Sequence, residues 1–488
     1  MAAYYDYGEI RWKIFCGDHL TPIEKKAVYE LYGSVRGYLP YIITVCESEN
    51  DITDNDNVIY VGTLQSLPAL AELEERRFFK AETREEGFSI KVGSSVRTKK
   101  RTDVVIQGAD PAGVLYGVYE FRNRYLDHLA KYNGYHFEEP LKPFLEQMPP
   151  FAMQSAPSIR YRGLWTWGHM IYDYRRYIDN MAQCKMNTLI MWNDSAPLNG
   201  REIVEYAHGR GVRVIWGFTC GWGEDVTVDP TNEADLDYWA KQVVEMYDRE
   251  YRDLGGDGIY FQGFTETNNK EIGSFSIASL ITKWINRISA EFQAKHPGLY
   301  VQFGIHGTSI GEHYVDMTDM SADVTPVWED CGAFPFHYDP RNNRGKTAST
   351  LAFTKKLVEM AKTNGRYGEV LKGFTVLRWH GFEHYKGRII VGETDGAYQK
   401  KRRTDKEFYW KFAEPYWINH ADDLKRHLSC IAGAGLKDST VTALVEDGLF
   451  EEGIPTSVGI YSELLWDCGA KTDEVIEKVF HSVHYDHT

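Results

Sequence analysis

The chain has 488 residues, more than one hydrophobic core usually serves, so two domains are expected. A formal net charge of -15 excludes a general electrostatic grip on nucleic acid or an anionic membrane, since both need a basic face. With 43% hydrophobic and 26% charged residues, and no apolar run near the length of a membrane span, the whole chain is expected to fold as a globular protein.

The N-terminal stretch MAAYYDYGEIRWKIF has no basic segment followed by an apolar core, which gives a cytoplasmic reading. From there to residue 150, β-rich runs alternate with amphipathic ones. Strands are predicted at 9–15, 41–46, 57–63, 87–94 and 103–109, with a helix at 22–39. A closing helix at 113–129 follows Asp110-Pro111, a turn and helix-start signal. Pro140, Pro143, Pro149, Pro150 and Pro157 then punctuate a stretch with little periodicity. This marks the boundary, giving a small α/β domain over 1–150 and a second domain over 151–488.

Beyond the boundary, short continuous apolar runs alternate with helical patterns, as expected of parallel strands buried on both faces. Strands are predicted at 159–167, 187–193, 212–218, 257–264, 299–306, 323–330, 372–380 and 440–447. Eight such units predict a closed (β/α)8 TIM barrel. Cys16, Cys46, Cys184, Cys220, Cys331, Cys430 and Cys468 are odd in number and form no CxxC pair, which reads as free thiols.

Catalytic groups of such barrels stand at the C-terminal ends of the strands. The fourth predicted strand runs into Thr265-Glu266-Thr267-Asn268, the fifth ends at His306, and the sixth ends in Trp328-Glu329-Asp330. The seventh ends in Arg378-Trp379-His380, with Glu383 just after. Glycoside hydrolysis needs two carboxyl groups across one bond, one to donate a proton and one to activate water or attack directly. Glu266, Glu329, Asp330 and Glu383 are the candidates. Arg162 and Arg378 lie inside apolar strand patterns, where a cation needs a partner. They anchor a substrate carboxylate or form structural ion pairs. Trp165, Trp167, Trp192, Trp222 and Trp328, with Asn193, Asn268, His306 and His380, complete the candidate sugar-binding set. The histidines form no metal-ligand spacing, so neither metal nor cofactor is expected.

The segment GFSIKVGSS…TDVVIQGADPAGVLYGVYEFRNRYL (87–126) resembles the accessory domain preceding the barrel in family 67 α-glucuronidases, family 20 hexosaminidases and family 84 enzymes. These share two strands and a G-x-D-x-x-G-x-LYG helix start. IRYRGLWTWGHMIYDYRRYIDNMAQCKMNTLIMWND (159–194) is similar to the opening of their barrels, with an MNTL second strand. The resemblance implies a hexosaminidase-like α/β accessory domain before a catalytic barrel, an oligosaccharide substrate and no cofactor. Family 20 and 84 enzymes place an acidic residue directly before the general acid, to orient the substrate's acetamido group; here Thr265 stands there. In the α-glucuronidases a lone glutamate after strand four is the acid, and carboxylates after strands six and seven support the attacking water. Glu266, then Asp330 or Glu329, then Glu383 match that arrangement by position.

The expected function is an exo-acting, inverting glycoside hydrolase with α-glucuronidase-like specificity. A retaining hydrolase of the β-N-acetylhexosaminidase kind and a non-catalytic carbohydrate-binding barrel are the alternatives. Which sugar and linkage are used, and whether the chain forms a homo-oligomer, are left open by the sequence.

Overall fold

The computed structural model describes residues 10–126, 149–219, 222–223, 226–335, 346–374, 387–445, 449–482 and 485–486. They form two compact units. The first extends to Pro157 and takes in Gly209–Gly211 and Glu477–His484; the second holds Ser158–His208 and Val212–Ile476.

The first unit is a six-stranded mixed sheet of β1 (Arg11–Phe15), β2 (Thr44–Cys46), β3 (Asp56–Thr63), β4 (Phe88–Ser94), β5 (Thr102–Gly108) and β6 (Phe151–Ser155). The spatial order is β2-β1-β3-β5-β4-β6, with β4 antiparallel to both its neighbours. Strand β6 follows residue 150, where the proline run suggests the boundary, and completes this sheet. Helix α1 (Pro22–Arg36) starts in a capping box: the Thr21 hydroxyl accepts from Glu24 N, and the Glu24 carboxylate accepts from Thr21 N. Helix α2 (Pro111–Glu120) is capped by Asp110, which accepts from Gly113 N at 2.9 Å and from Glu86 N at 2.7 Å. A Cβ at Gly113 would sit 2.2 Å from the Gly87 carbonyl. The G-x-D-x-x-G pattern therefore seats the start of α2 directly on the sheet.

The second unit is a closed barrel of eight parallel strands. These are β7 (Tyr161–Trp167), β8 (Thr188–Trp192), β9 (Arg213–Thr219), β10 (Gly258–Gln262), β11 (Tyr300–Ile305), β12 (Val324–Pro335), β13 (Arg366–Lys372) and β14 (Asp438–Leu444). Pairing of β14 with β7, Leu444 opposite Trp165, closes the ring. Side chains alternate in and out along each strand. Trp165, Ile190, Trp192, Ile215, Tyr260, Tyr300, Val327, Val370 and Leu444 pack together inside. At the N-terminal end, Arg213 lies over the rings of Tyr161 and Tyr300, and the Tyr300 hydroxyl is 3.1 Å from Thr440 Oγ1. The interior is a filled core. Helix Tyr174–Gln183 buries one stripe, Tyr174, Tyr177, Ile178, Met181 and Ala182, whereas helix Thr456–Trp466 is buried on all sides.

Seven of the eight strands fall where the sequence reading puts them. The seventh does not: it is RYGEVLK (366–372), whereas the apolar run 372–380 is the expected one. Gly368 and Glu369 in its middle are poor strand formers, which hid it. Glu369 is fully buried there, on the outward face, where it accepts hydrogen bonds from the Tyr367 hydroxyl and from Thr354 Oγ1 (2.8 Å) and pairs with His427. The helix layer supplies what the strand pattern lacks.

Candidate active site

The C-terminal mouth of the barrel is floored by aromatic rings. Trp165 and Trp192 stack with centroids 5.9 Å apart, and each meets Tyr260 edge-on at 6.1 and 6.0 Å. Trp167, one step nearer the rim and partly exposed, packs edge-on against Trp165 at 4.9 Å. Above this floor the alternation Thr325, Val327, Glu329 brings the Glu329 carboxyl inward midway along β12, just beyond its last pair with β11. It is buried, and Oε2 accepts a hydrogen bond from the Tyr260 hydroxyl at 2.9 Å. A Cβ at Gly304 would lie 2.3 Å from the Tyr260 hydroxyl and 2.7 Å from Glu329 Oε2. Only glycine leaves room for that pair. Just past Glu329 the pairing of β12 with β13 shifts register, an irregularity of the kind that re-aims side chains at barrel rims.

Burial pushes the Glu329 carboxyl above the ordinary range. The neighbouring His306 and Lys372 and the Tyr260 hydrogen bond act against that rise, and Glu266 adds to it. These five groups therefore share one electrostatic environment. Lys372 ends β13 two residues after the inward Val370 and so faces the same space. His306, buried just after β11, has Nδ1 3.1 Å from Thr265 Oγ1. Glu266, the next residue, is exposed in the loop after β10, as is Asn268. Asn193, just after β8, is buried and donates from Nδ2 to the Met191 carbonyl at 3.3 Å.

Glu266, Glu329, His306, Asn193, Asn268, Trp165, Trp167 and Trp192 thus stand at or under one mouth. Two other candidates are elsewhere. Arg162 is the second residue of β7, fully buried at the N-terminal end, with its guanidinium donating to the carbonyls of Lys185 (2.9 and 3.0 Å), Ile159 (2.9 Å) and Arg160 (3.0 Å). It also lies over the Trp466 ring at 5.2 Å. It binds backbone and an aromatic face at the barrel's closed end, so it does not anchor a substrate. Trp328 points outward, edge-on to Phe353 of the helix layer at 4.9 Å, and its role is packing. Arg378, His380 and Glu383 lie outside the described residues, as do the side chains of Asp330 and Trp222. Tyr260 and Lys372 were not singled out in the sequence. Tyr260 reads there as one more apolar strand residue, and Lys372 becomes a rim residue only once β13 is placed. Among the described residues no group of three His, Cys, Asp or Glu side chains is arranged to hold a metal ion. No helix among them is long and apolar enough to cross a membrane.

Residues 14–121 match the family model described as the N-terminus of glycosyl hydrolase family 67. Two solved structures share the fold over nearly the whole chain. One is a family GH138 enzyme targeting pectin rhamnogalacturonan II, at TM-score 0.52 and 12% identity, covering 95% of this chain and 52% of that one. The other is a family GH115 4-O-methyl-alpha-glucuronidase with specificity for decorated arabinogalactans, at TM-score 0.51 and 14% identity, covering 97% of this chain and 58% of that one. The chain spans little more than half the length of either. Comparison with curated protein sequences finds no match. In N-terminal sequence and in fold, then, the chain is glycoside-hydrolase-like.

Proposed function

We propose that the chain is an exo-acting glycoside hydrolase working with Glu329 and Glu266 as its two carboxyl groups. The observation that carries this reading is Glu329: a buried carboxyl at the barrel mouth, above an aromatic floor and within the field of a second, exposed glutamate. Burial favours the neutral form, which is what a proton donor needs near neutral pH. Glu329 is accordingly the acid, protonating the leaving oxygen, and Glu266 is the base that activates water. The positional match made from sequence assigns these two roles the other way round. Attack by water from the face opposite the leaving group inverts the anomeric configuration.

The substrate class we propose is a uronic-acid glycoside. Lys372 supports it, as a cation near enough to Glu329 to act on its charge. The fold shared with an alpha-glucuronidase and the family 67 N-terminal match support it too. An acetamido-assisted mechanism is disfavoured because the residue directly before the acid Glu329 is Trp328, which offers no carboxylate.

The test compares Glu329→Gln and Glu266→Gln on glucuronides with good aryl and poor alkyl leaving groups. Loss of the acid should cost on the order of 10²–10⁴-fold in kcat/KM on alkyl glucuronides and far less on activated aryl ones. Loss of the base should cost similarly on both. Near-wild-type alkyl hydrolysis by Glu329→Gln would rule out the acid assignment. Equal hydrolysis of glucosides and glucuronides by the parent would rule out the uronide class, and a first-formed anomer of retained configuration, seen by NMR, would rule out inversion.

A further inference from the structure

A second buried carboxyl stands at the same end of the barrel, outside the Glu266–Glu329 pair. Glu451, in the loop after β14, is 3% exposed. Its Oε1 accepts from the main-chain N–H of Tyr172 at 2.6 Å and of Asp173 at 3.2 Å, in the loop after β7. Its Oε2 is buried and has no hydrogen-bond partner among the described residues. The residue it holds is a junction. The Tyr172 carbonyl accepts from Thr394 N and from Gln399 Nε2, both at 3.0 Å, and its ring packs with Tyr398 and Leu449. The next turn is fixed as well, since Tyr174 N donates to the Gly392 carbonyl at 3.2 Å. Asp173 caps helix Tyr174–Gln183. Glu451 thus joins the segment after β14 to the loop after β7, and Tyr172 and Tyr174 join that loop in turn to Gly392, Thr394 and Gln399.

We propose that Glu451 is a positioning residue that seats the 168–173 loop against the loops after β13 and β14 when its carboxyl is neutral and releases it when ionised. The bearing on catalysis rests on the hydrolase reading above; the loop behaviour does not. The physical reason is Oε2. A charged oxygen buried with no donor among the described residues carries a desolvation cost, whereas a neutral carboxyl keeps Oε1 as acceptor for both N–H groups at much lower cost. The surroundings do not rescue the charge. Asp173 faces it from the β7 loop, and the Tyr177 hydroxyl from the following helix. Glu393 bridges to Asp173 by its backbone. The nearby cations Arg176 and Arg403 lie 3.7 and 3.9 Å from the neighbouring Glu452. Burial, with the charge of Asp173, pushes Glu451 up to about 7, against the three main-chain N–H groups that favour its ionised form. Because this value is raised above that of the unfolded chain, its contribution to stability is complete below the ordinary carboxylate range and is lost as pH rises through about 7.

Hydrogen exchange of the full chain at pH 6 and pH 8, corrected for intrinsic rates, tests this against Glu451→Gln. The amide keeps an oxygen for both N–H groups and never ionises. In the parent, protection of Tyr172 and Asp173 should fall about tenfold from pH 6 to pH 8, the change in neutral fraction over that interval. In the variant it should stay level. The same pH dependence in both overturns the proposal. If the variant does not accumulate folded, level protection in the parent alone overturns it. Where hydrolysis is measurable, the alkaline limb of kcat/KM should move outward in Glu451→Gln while the leaving-group dependence carried by Glu329 is unchanged. A chain without glycosidase activity that still shows the exchange transition would sink the function and leave the loop device standing.

Discussion

Arg162 and Glu329 are both ionisable side chains inside strands, and their neighbours give them opposite uses. Arg162 sits where β7 begins, and its guanidinium makes four hydrogen bonds to the carbonyls of Ile159, Arg160 and Lys185. Glu329 sits midway along β12, beyond its last regular pair with β11, so its carboxyl meets the Tyr260 hydroxyl and the electrostatic influence of His306 and Lys372. Arg162→Met keeps the apolar stem but strips the donors from the buried carbonyls of Lys185 and Ile159, each costing about 1–3 kcal/mol when unmatched, while the Arg160 carbonyl keeps Asn187 Nδ2 at 2.8 Å. A loss of at least about 2 kcal/mol by urea unfolding is expected, with any uronide preference of the folded protein unchanged. Loss of that preference at unchanged stability would return Arg162 to the substrate site.

At the scale of elements, β13 shows how a strand with a weak local pattern is held by its neighbours. Its inward residues Gly368 and Val370 fit the barrel, and its outward Glu369 is met by Tyr367, Thr354 and His427. Such a buried pair is costly to break and cheap to remove whole. His427→Leu should destabilise by about 3–5 kcal/mol, and adding Glu369→Leu should recover part of that loss. A double-mutant cycle by urea denaturation measures the coupling; strictly additive losses would show that the two groups do not depend on each other. The seventh strand was missed in the sequence because hydrophobic patterning sees only propensity, and here the stabilising partners lie on two helices remote in sequence. The other seven were legible because their runs are continuous and β-branched or aromatic.

At the scale of the whole molecule, the chain does not divide at a single point. Glu477–His484, at the far end of the sequence, belongs to the first unit. Lys478 Nζ there lies 2.8 Å from both carboxyl oxygens of Glu120, which is 3% exposed at the end of helix α2. Lys478→Met should therefore destabilise the protein by about 3 kcal/mol, as expected when a buried carboxylate loses its closest cation. Calorimetry reads this. An unaltered unfolding transition would show that the C-terminal segment adds nothing to the first unit.

The sequence alone determined the two-layer plan. Strand and helix periodicities, the Asp110 helix start and the rhythm of buried runs specify an α/β unit followed by a (β/α)8 barrel, because such patterns are local in the chain. It also brought Glu266, His306 and Glu329 to strand ends, where barrels place their chemistry. Only the tertiary structure decided which polar residues share a site. In-or-out direction follows from register, and register depends on where each strand truly begins. That is why Trp328 turned outward, Arg162 fell to the closed end, and Lys372 and Tyr260 joined Glu329. Burial did the rest, since whether a carboxyl keeps its proton depends on the donors, charges and solvent that folding gathers around it.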